Sequence, residues 1–149
     1  MKTTRWRRTK LTGRRIAGGT AQGEALVTTE QISFQGGVNP VDGIVKEKRH
    51  ELEGKCVTGK VLVFPRGKGS SEGTLKLYDM SVRGTSPAAI INIETEPVIA
   101  VGAILGRIPT VDKLDRDPIK AIKNRDLVKV SADKGIVEIL DRPKQTRNS

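Results

Sequence analysis

One stretch of this 149-residue chain carries residue types that can do chemistry: Val61-Leu62-Val63-Phe64-Pro65-Arg66-Gly67-Lys68-Gly69-Ser70-Ser71-Glu72-Gly73. An apolar run enters a glycine-rich loop, and the loop enters a helix start. Such a loop aims backbone N–H groups at one point and adds the positive end of a helix dipole, which suits a carboxylate or a phosphate. It is not a Walker A loop, because Gly69 rather than Ser or Thr follows Gly67-Lys68. It is not a dinucleotide fingerprint either, because the third glycine, Gly73, comes one residue late. The single histidine, His50, lies in the charged stretch 46–53, so no histidine base is in prospect for Ser70. A chemically active Ser70 would rely on backbone donors and the helix N-terminus to hold it as an alkoxide, a usable proton acceptor. The local pattern alone favours a plainer role, in which Ser70 and Ser71 cap the helix.

The elements that must position this loop are short. Residues 57–64 and 88–93 contain contiguous apolar runs and read as strands covered on both faces. After the two serines a helix is expected over 73–82, stopped by Gly84, with Leu75, Tyr78 and Val82 on one face. Residues 97–105 are apolar throughout, so period does not decide between helix and strand. A short helix is expected over 117–123, with Pro118 at its first position. Residues 127–130 and 136–140 flank Ala132-Asp133-Lys134-Gly135 as a hairpin. Residues 10–17 give a weak edge-strand pattern, 23–28 a further strand, and 36–43 a long turn. Strands outnumber helices, so the fold class is α/β with a mixed sheet rather than a regularly alternating one.

Charge is distributed unevenly. Lys and Arg total 27 against 17 Asp and Glu, a net +10. Residues 1–15 hold Lys2, Arg5, Arg7, Arg8, Lys10, Arg14 and Arg15 and no acid, and residues 142–149 hold Arg142, Lys144 and Arg147 and no acid. The stretch between is neutral. We therefore read a basic arm at 1–9, a folded body at 10–141 and a basic tail at 142–149. A neutral body argues against gripping nucleic acid, and 3% aromatic residues argue against a base-stacking platform. An RNA-associated module that uses the basic ends is the non-enzymatic alternative, with solvated tails as the plainer account.

One cysteine allows no internal disulfide and cannot ligate a cluster, and one histidine excludes a two-His zinc site, so no metal is expected on this chain. No apolar run reaches the about 18 residues of a membrane span, and no secretory signal follows the basic start, so a soluble cytoplasmic protein is expected. Cys56 reads as a small core residue and His50 as a solvated surface residue. Glu24 and Glu30 read as turn or edge residues, with a cleft position the alternative. Arg107 could hold a phosphate or cap a helix end.

Four segments, in order, resemble the small subunits of the aconitase X family, those of phosphomevalonate dehydratases. They are Gly23-Glu24-Ala25-Leu26-Val27; Ile32-Ser33-Phe34-Gln35-Gly36-Gly37-Val38-Asn39-Pro40; Pro65-Arg66-Gly67-Lys68-Gly69-Ser70-Ser71; and Pro87-Ala88-Ala89-Ile90-Ile91 followed by Ile99-Ala100-Val101-Gly102-Ala103-Ile104. Thr28-Thr29-Glu30-Gln31-Ile32-Ser33 is similar to the Thr-Thr-Asp-His-Ile-Ser segment of aconitase swivel domains, with Glu30 in place of aspartate. The resemblance runs from Leu11 to Asp141. It implies a swivelling β/β/α domain whose Gly-Ser-Ser loop lies over a large subunit carrying a 4Fe–4S cluster, with no cofactor held by this chain. It implies Ser70 as proton acceptor, and Arg66, Gly67, Lys68, Gly69 and Ser71 as the substrate-binding surroundings. Glu72 stands where aconitase has a substrate-binding arginine. The implied reaction is dehydration of (R)-5-phosphomevalonate, a small phosphorylated hydroxy acid, to trans-anhydromevalonate 5-phosphate in an archaeal-type isoprenoid pathway. Related family members dehydrate cis-3-hydroxyproline, and bacterial ones often carry Cys after the first serine, where this chain has Ser71.

Overall fold

A computed structural model describes residues 8–143. Eight strands and three helices follow the chain: β1 (Thr9–Thr12), β2 (Arg14–Ala17), β3 (Thr20–Val27), β4 (Val61–Phe64), α1 (Glu72–Arg83), β5 (Ala89–Asn92), α2 (Pro97–Gly106), β6 (Thr110–Asp112), α3 (Pro118–Ala121), β7 (Leu127–Ser131) and β8 (Ile136–Asp141). The strand order is β1-β8-β7-β3-β4-β5-β6-β2. Strands β3, β4, β5 and β6 run parallel, and the remaining pairs are antiparallel. The mixed sheet and the β/β/α arrangement agree with the expectation from sequence.

Two stretches of chain turn this sheet into two stacked layers. In β3, Thr20–Glu24 pair with β7 and Ala25–Val27 pair with β4. Residues 9–17 make a second corner, since β1 pairs with β8 while β2 pairs with β6. The single expected edge strand is thus two strands at opposite ends of the sheet, bent at Gly13. A side chain there would not fit, because a Cβ would lie 2.7 Å from Leu114 Cδ2 and closer still to the Asp112 carbonyl. Strands that pass from one layer to the other at a bend are how stacked sheets make corners.

The period-two alternation of β4 and β5 sorts their side chains between two cores. Leu62, Phe64 and Ile90 face α1 and α2, meeting Leu77, Met80, Ile99 and Ala103. Val61, Val63, Ala89 and Ile91 face the other sheet layer, meeting Leu11, Val128, Val130, Val137 and Ile139. Each fully buried aliphatic side chain contributes about 1.5–3 kcal/mol. Both faces are covered, as the contiguous apolar runs predict. Strand β4 is shorter than expected, because residues 57–60 form a turn that leads into it.

Helix α1 ends where Gly84 takes a left-handed conformation. Its Leu75, Tyr78 and Val82 stripe faces outward, while Leu77 and Met80 turn inward. The ambiguous 97–105 stretch is helical. Pro97 sits at the first position, and the Glu96 carboxylate accepts hydrogen bonds from Val98 N and Ile99 N at 2.9 and 3.0 Å. Arg107 closes α2 through its own N–H in a left-handed conformation, which makes it a helix-end residue. Asp117 caps α3, and the β7–β8 hairpin forms as expected across a short 3-10 turn.

Four readings are corrected. Thr9, assigned to the basic arm, belongs to β1. Arg142, assigned to the tail, is anchored to buried Asp126. The remainder of both basic ends, residues 1–7 and 144–149, lies outside the described residues. Cys56 is half-buried rather than in the core, with its thiol 3.5 Å from the Asp42 carbonyl. His50 is 5% exposed rather than solvated. Its ring spans two backbone groups, donating from Nε2 to the Gln31 carbonyl at 2.9 Å while Nδ1 accepts from Leu52 N at 3.0 Å. Among the described residues no helix is long and apolar enough to cross a membrane.

Candidate active site

The four parallel strands end at one edge, and ligands of open parallel sheets gather outside such carboxyl ends. The loop after β4, residues 65–71, lies there. It carries the residues that the resemblance implies for the site: Arg66, Gly67, Lys68, Gly69, Ser70 and Ser71. Two neighbouring segments brace it. The loop after β3 runs alongside as a short parallel bridge between Ile32 and Gly67, with Lys68 N donating to the Ile32 carbonyl at 3.0 Å. The start of α2 lies beneath Gly67, where a Cβ would fall 2.5 Å from Glu96 Oε1 and 2.6 Å from Ile99 Cγ1. Only glycine admits this approach.

Gly69 takes a φ of +110°, and a Cβ there would sit 2.8 Å from Ser33 Oγ. This turn delivers Ser70 to the start of α1. Gly69→Ala should therefore lower stability by about 1–3 kcal/mol through backbone strain. Thermal unfolding will read it, and an unchanged midpoint would show that the loop does not need this conformation.

Ser70 and Ser71 are both exposed. Ser71 occupies the N-cap position of α1, but its side chain makes no capping hydrogen bond. The backbone closes the first turn instead, with Gly73 N donating to the Ser70 carbonyl and Thr74 N to the Ser71 carbonyl, at 3.0 and 3.1 Å. The helix-capping reading of the two hydroxyls is therefore corrected. Among the described residues no hydrogen bond holds the Ser70 hydroxyl. It stands in front of a 12-residue helix whose dipole favours negative charge at that end.

The loop after β3 is held in turn by residues 47–52, which the sequence did not connect with the site. The Thr28 hydroxyl donates to Glu51 Oε1 at 2.6 Å and Thr29 N donates to the same oxygen at 3.0 Å. Glu51 N donates to Glu30 Oε2 at 2.7 Å, so Glu30 is a turn-bracing residue. Glu24 is an exposed residue of β3. The Thr28 hydroxyl first, and then the Thr29 amide, hold the Glu51 carboxyl below the usual glutamate range. A depressed carboxyl pKa stabilises the fold above the unfolded-state value, and that contribution is lost as pH falls through the folded value. Carboxyl-carbon NMR titration should find Glu51 below ordinary glutamate, and Thr28→Val should move it back up. An ordinary value in the unsubstituted chain would remove this brace from the account.

Of the two cations proposed for substrate charge, Lys68 is committed to Glu47, with Nζ donating to Oε2 at 2.8 Å. Arg66 is looser, 3.9 Å from Glu94. Glu47, Ser33, Glu94 and Lys113 are site neighbours that sequence reasoning missed. Glu94 lies two residues beyond β5 and Lys113 one beyond β6, so only the pairing of those strands brings them to the loop and no local signal marks them. A cluster does not fit this chain. Cys56 is the single cysteine, and among the described residues no three His, Cys, Asp or Glu side chains group to hold a metal.

Residues 10–139 match the aconitase X swivel domain. The phosphomevalonate dehydratase small subunit of Methanosarcina acetivorans is 48% identical over 138 residues, covering 93% of this chain and 95% of that protein. The phosphomevalonate dehydratase small subunit of Archaeoglobus fulgidus is 48% identical over 132 residues, covering 89% and 99%. The crystal structure of Thermococcus kodakaraensis aconitase X in its holo-form superposes with a TM-score of 0.85 at 44% identity, covering 89% of this chain and 99% of that one. With a matched family covering nearly the whole folded body and relatives this close, the chain belongs to the aconitase X swivel-domain family.

Proposed function

We propose that this chain is the small subunit of a hydro-lyase that dehydrates (R)-5-phosphomevalonate to trans-anhydromevalonate 5-phosphate, with Ser70 as proton acceptor. The observation that carries the reading is the Ser70 hydroxyl itself. It is exposed, without a hydrogen-bond partner among the described residues, and set between a glycine turn and the N-terminus of α1. Its closest chemical support is the name shared by the relatives above.

Dehydration needs a base at the carbon next to the carboxylate and assistance for the departing hydroxide. Ser70, as an alkoxide favoured by the helix dipole and nearby backbone N–H groups, accepts the proton at Oγ. Its neighbours hold it there: Gly67 lets α2 close beneath the loop, Gly69 turns the chain, and Lys68 is pinned to Glu47. A 4Fe–4S cluster held by a large subunit, as the family resemblance implies, would supply the Lewis acidity for the departing hydroxyl. The departing hydroxide takes up a proton and leaves as water, and Ser70 releases the proton it accepted, which restores the base.

Co-expression with the large subunit and assay on two substrates tests this reading. Loss of water from 5-phosphomevalonate is expected, with none from cis-3-hydroxyproline. Activity on hydroxyproline alone would replace the proposed substrate. Specific RNA binding by an inactive complex would replace the enzymatic reading altogether.

A further inference from the structure

Three loops follow the adjacent parallel strands β4, β5 and β6, and each places one charged side chain at the same edge: Arg66, Glu94 and Lys113. The loops are stitched together through their backbones. Ile93 N and Glu94 N both donate to the Pro65 carbonyl, at 3.1 and 3.3 Å, and Lys113 N donates to the Ile93 carbonyl at 3.0 Å. Lys113 is held at a φ of +50°, a left-handed conformation that a residue with a side chain adopts at a cost.

The side chains are far less settled than the backbone beneath them. Arg66 Nη2 lies 3.9 Å from Glu94 Oε1 and Lys113 Nζ lies 3.8 Å from Glu94 Oε2, and all three groups are about half-exposed. Neither contact is short enough to be a hydrogen bond. The neighbouring cations differ. Arg14 is locked onto buried Asp112 by two hydrogen bonds of 2.9 and 2.8 Å, and Lys68 is locked onto Glu47 at 2.8 Å. Two cations on a rigid backbone, sharing one carboxylate at long range, keep their hydrogen-bond donors available for a second anion.

We propose that Arg66 and Lys113 form the subsite for the phosphate of the substrate, with Glu94 offsetting their mutual repulsion until it binds. This deepens the function proposed above and rests on it. A phosphate monoester carries about −1.5 to −2 charges at neutral pH, so it competes well against the single charge of Glu94 for one guanidinium and one ammonium that Glu94 reaches only at 3.9 and 3.8 Å. Arg supplies a planar fork for two phosphate oxygens and Lys a point charge for the third. The reach agrees. Five bonds separate the carbon that loses its proton from phosphorus, about 6 Å, and Arg66 and Ser70 are four positions apart, at most about 14 Å of chain.

The test uses Arg66→Gln and Lys113→Gln in the assembled two-subunit enzyme. Each should raise KM for 5-phosphomevalonate about 10–100-fold while kcat stays within about threefold, the split expected when binding common to ground and transition states is removed. Inorganic phosphate, followed by phosphorus NMR line broadening against the same complexes, should lose about tenfold in affinity with each variant, whatever reaction the enzyme catalyses. Unchanged KM and unchanged phosphate affinity overturn the subsite, and so does a fall in kcat at constant KM. If the unsubstituted complex turns over another substrate, the proposed function fails while the phosphate titration still decides the subsite.

Discussion

Ser70→Ala should lower turnover of the assembled enzyme by about 10²–10⁴-fold, the range for removing a general base. The loss should fall on kcat, because Ser70 acts on the reacting carbon and its hydroxyl holds nothing else in place among the described residues. For the same reason thermal stability should stay within about 0.5 kcal/mol, as expected for an exposed residue. Ser71→Ala is the comparison: Ser71 is also exposed and makes no side-chain capping bond, and as a substrate-binding residue it should change KM rather than kcat. Turnover of Ser70→Ala within about tenfold of the unsubstituted enzyme would assign the proton to another group.

Arg142→Ala should cost about 3–5 kcal/mol of stability, because it takes the cation from a fully buried carboxylate. Asp126 is fully buried, and the Arg142 guanidinium grips it at both oxygens, 2.8 Å each, while also donating to the Ala121 carbonyl at 3.0 Å. Among the described residues, truncation leaves that carboxylate buried with the Lys123 amide, 2.8 Å away, as its remaining donor. For a chain of this size the midpoint should fall by about 10 °C. Arg142→Lys should recover only part of this, because an ammonium cannot span both oxygens. A midpoint within about 2 °C of the unsubstituted protein would show that the pair contributes little.

Contiguous apolar runs made β4 and β5 legible, because a strand covered on both faces needs no polar alternation. Gly84 and the Ala132–Gly135 turn were legible because left-handed backbone favours glycine at helix and hairpin ends. What stayed hidden depended on distant partners. Nothing local in residues 9–17 says that Gly13 sends its two sides to opposite ends of the sheet. His50 sits in a charged stretch, and only the Gln31 carbonyl and Leu52 amide, brought together by folding, make its burial favourable. The Ser70 loop was readable as one contiguous segment. Glu94 and Lys113 join it across three strands, a relation that no spacing along the chain encodes.

The single passage of chain from Thr9 to Ala17 occupies both outermost places in the strand order, with only four residues at each and two arginines on one of them. Neither rim offers a long, flat template onto which another polypeptide could add its own ladder. Strand addition is therefore a poor way onto either described rim, whereas a contact made through the loops and helices would leave every rung of the sheet intact.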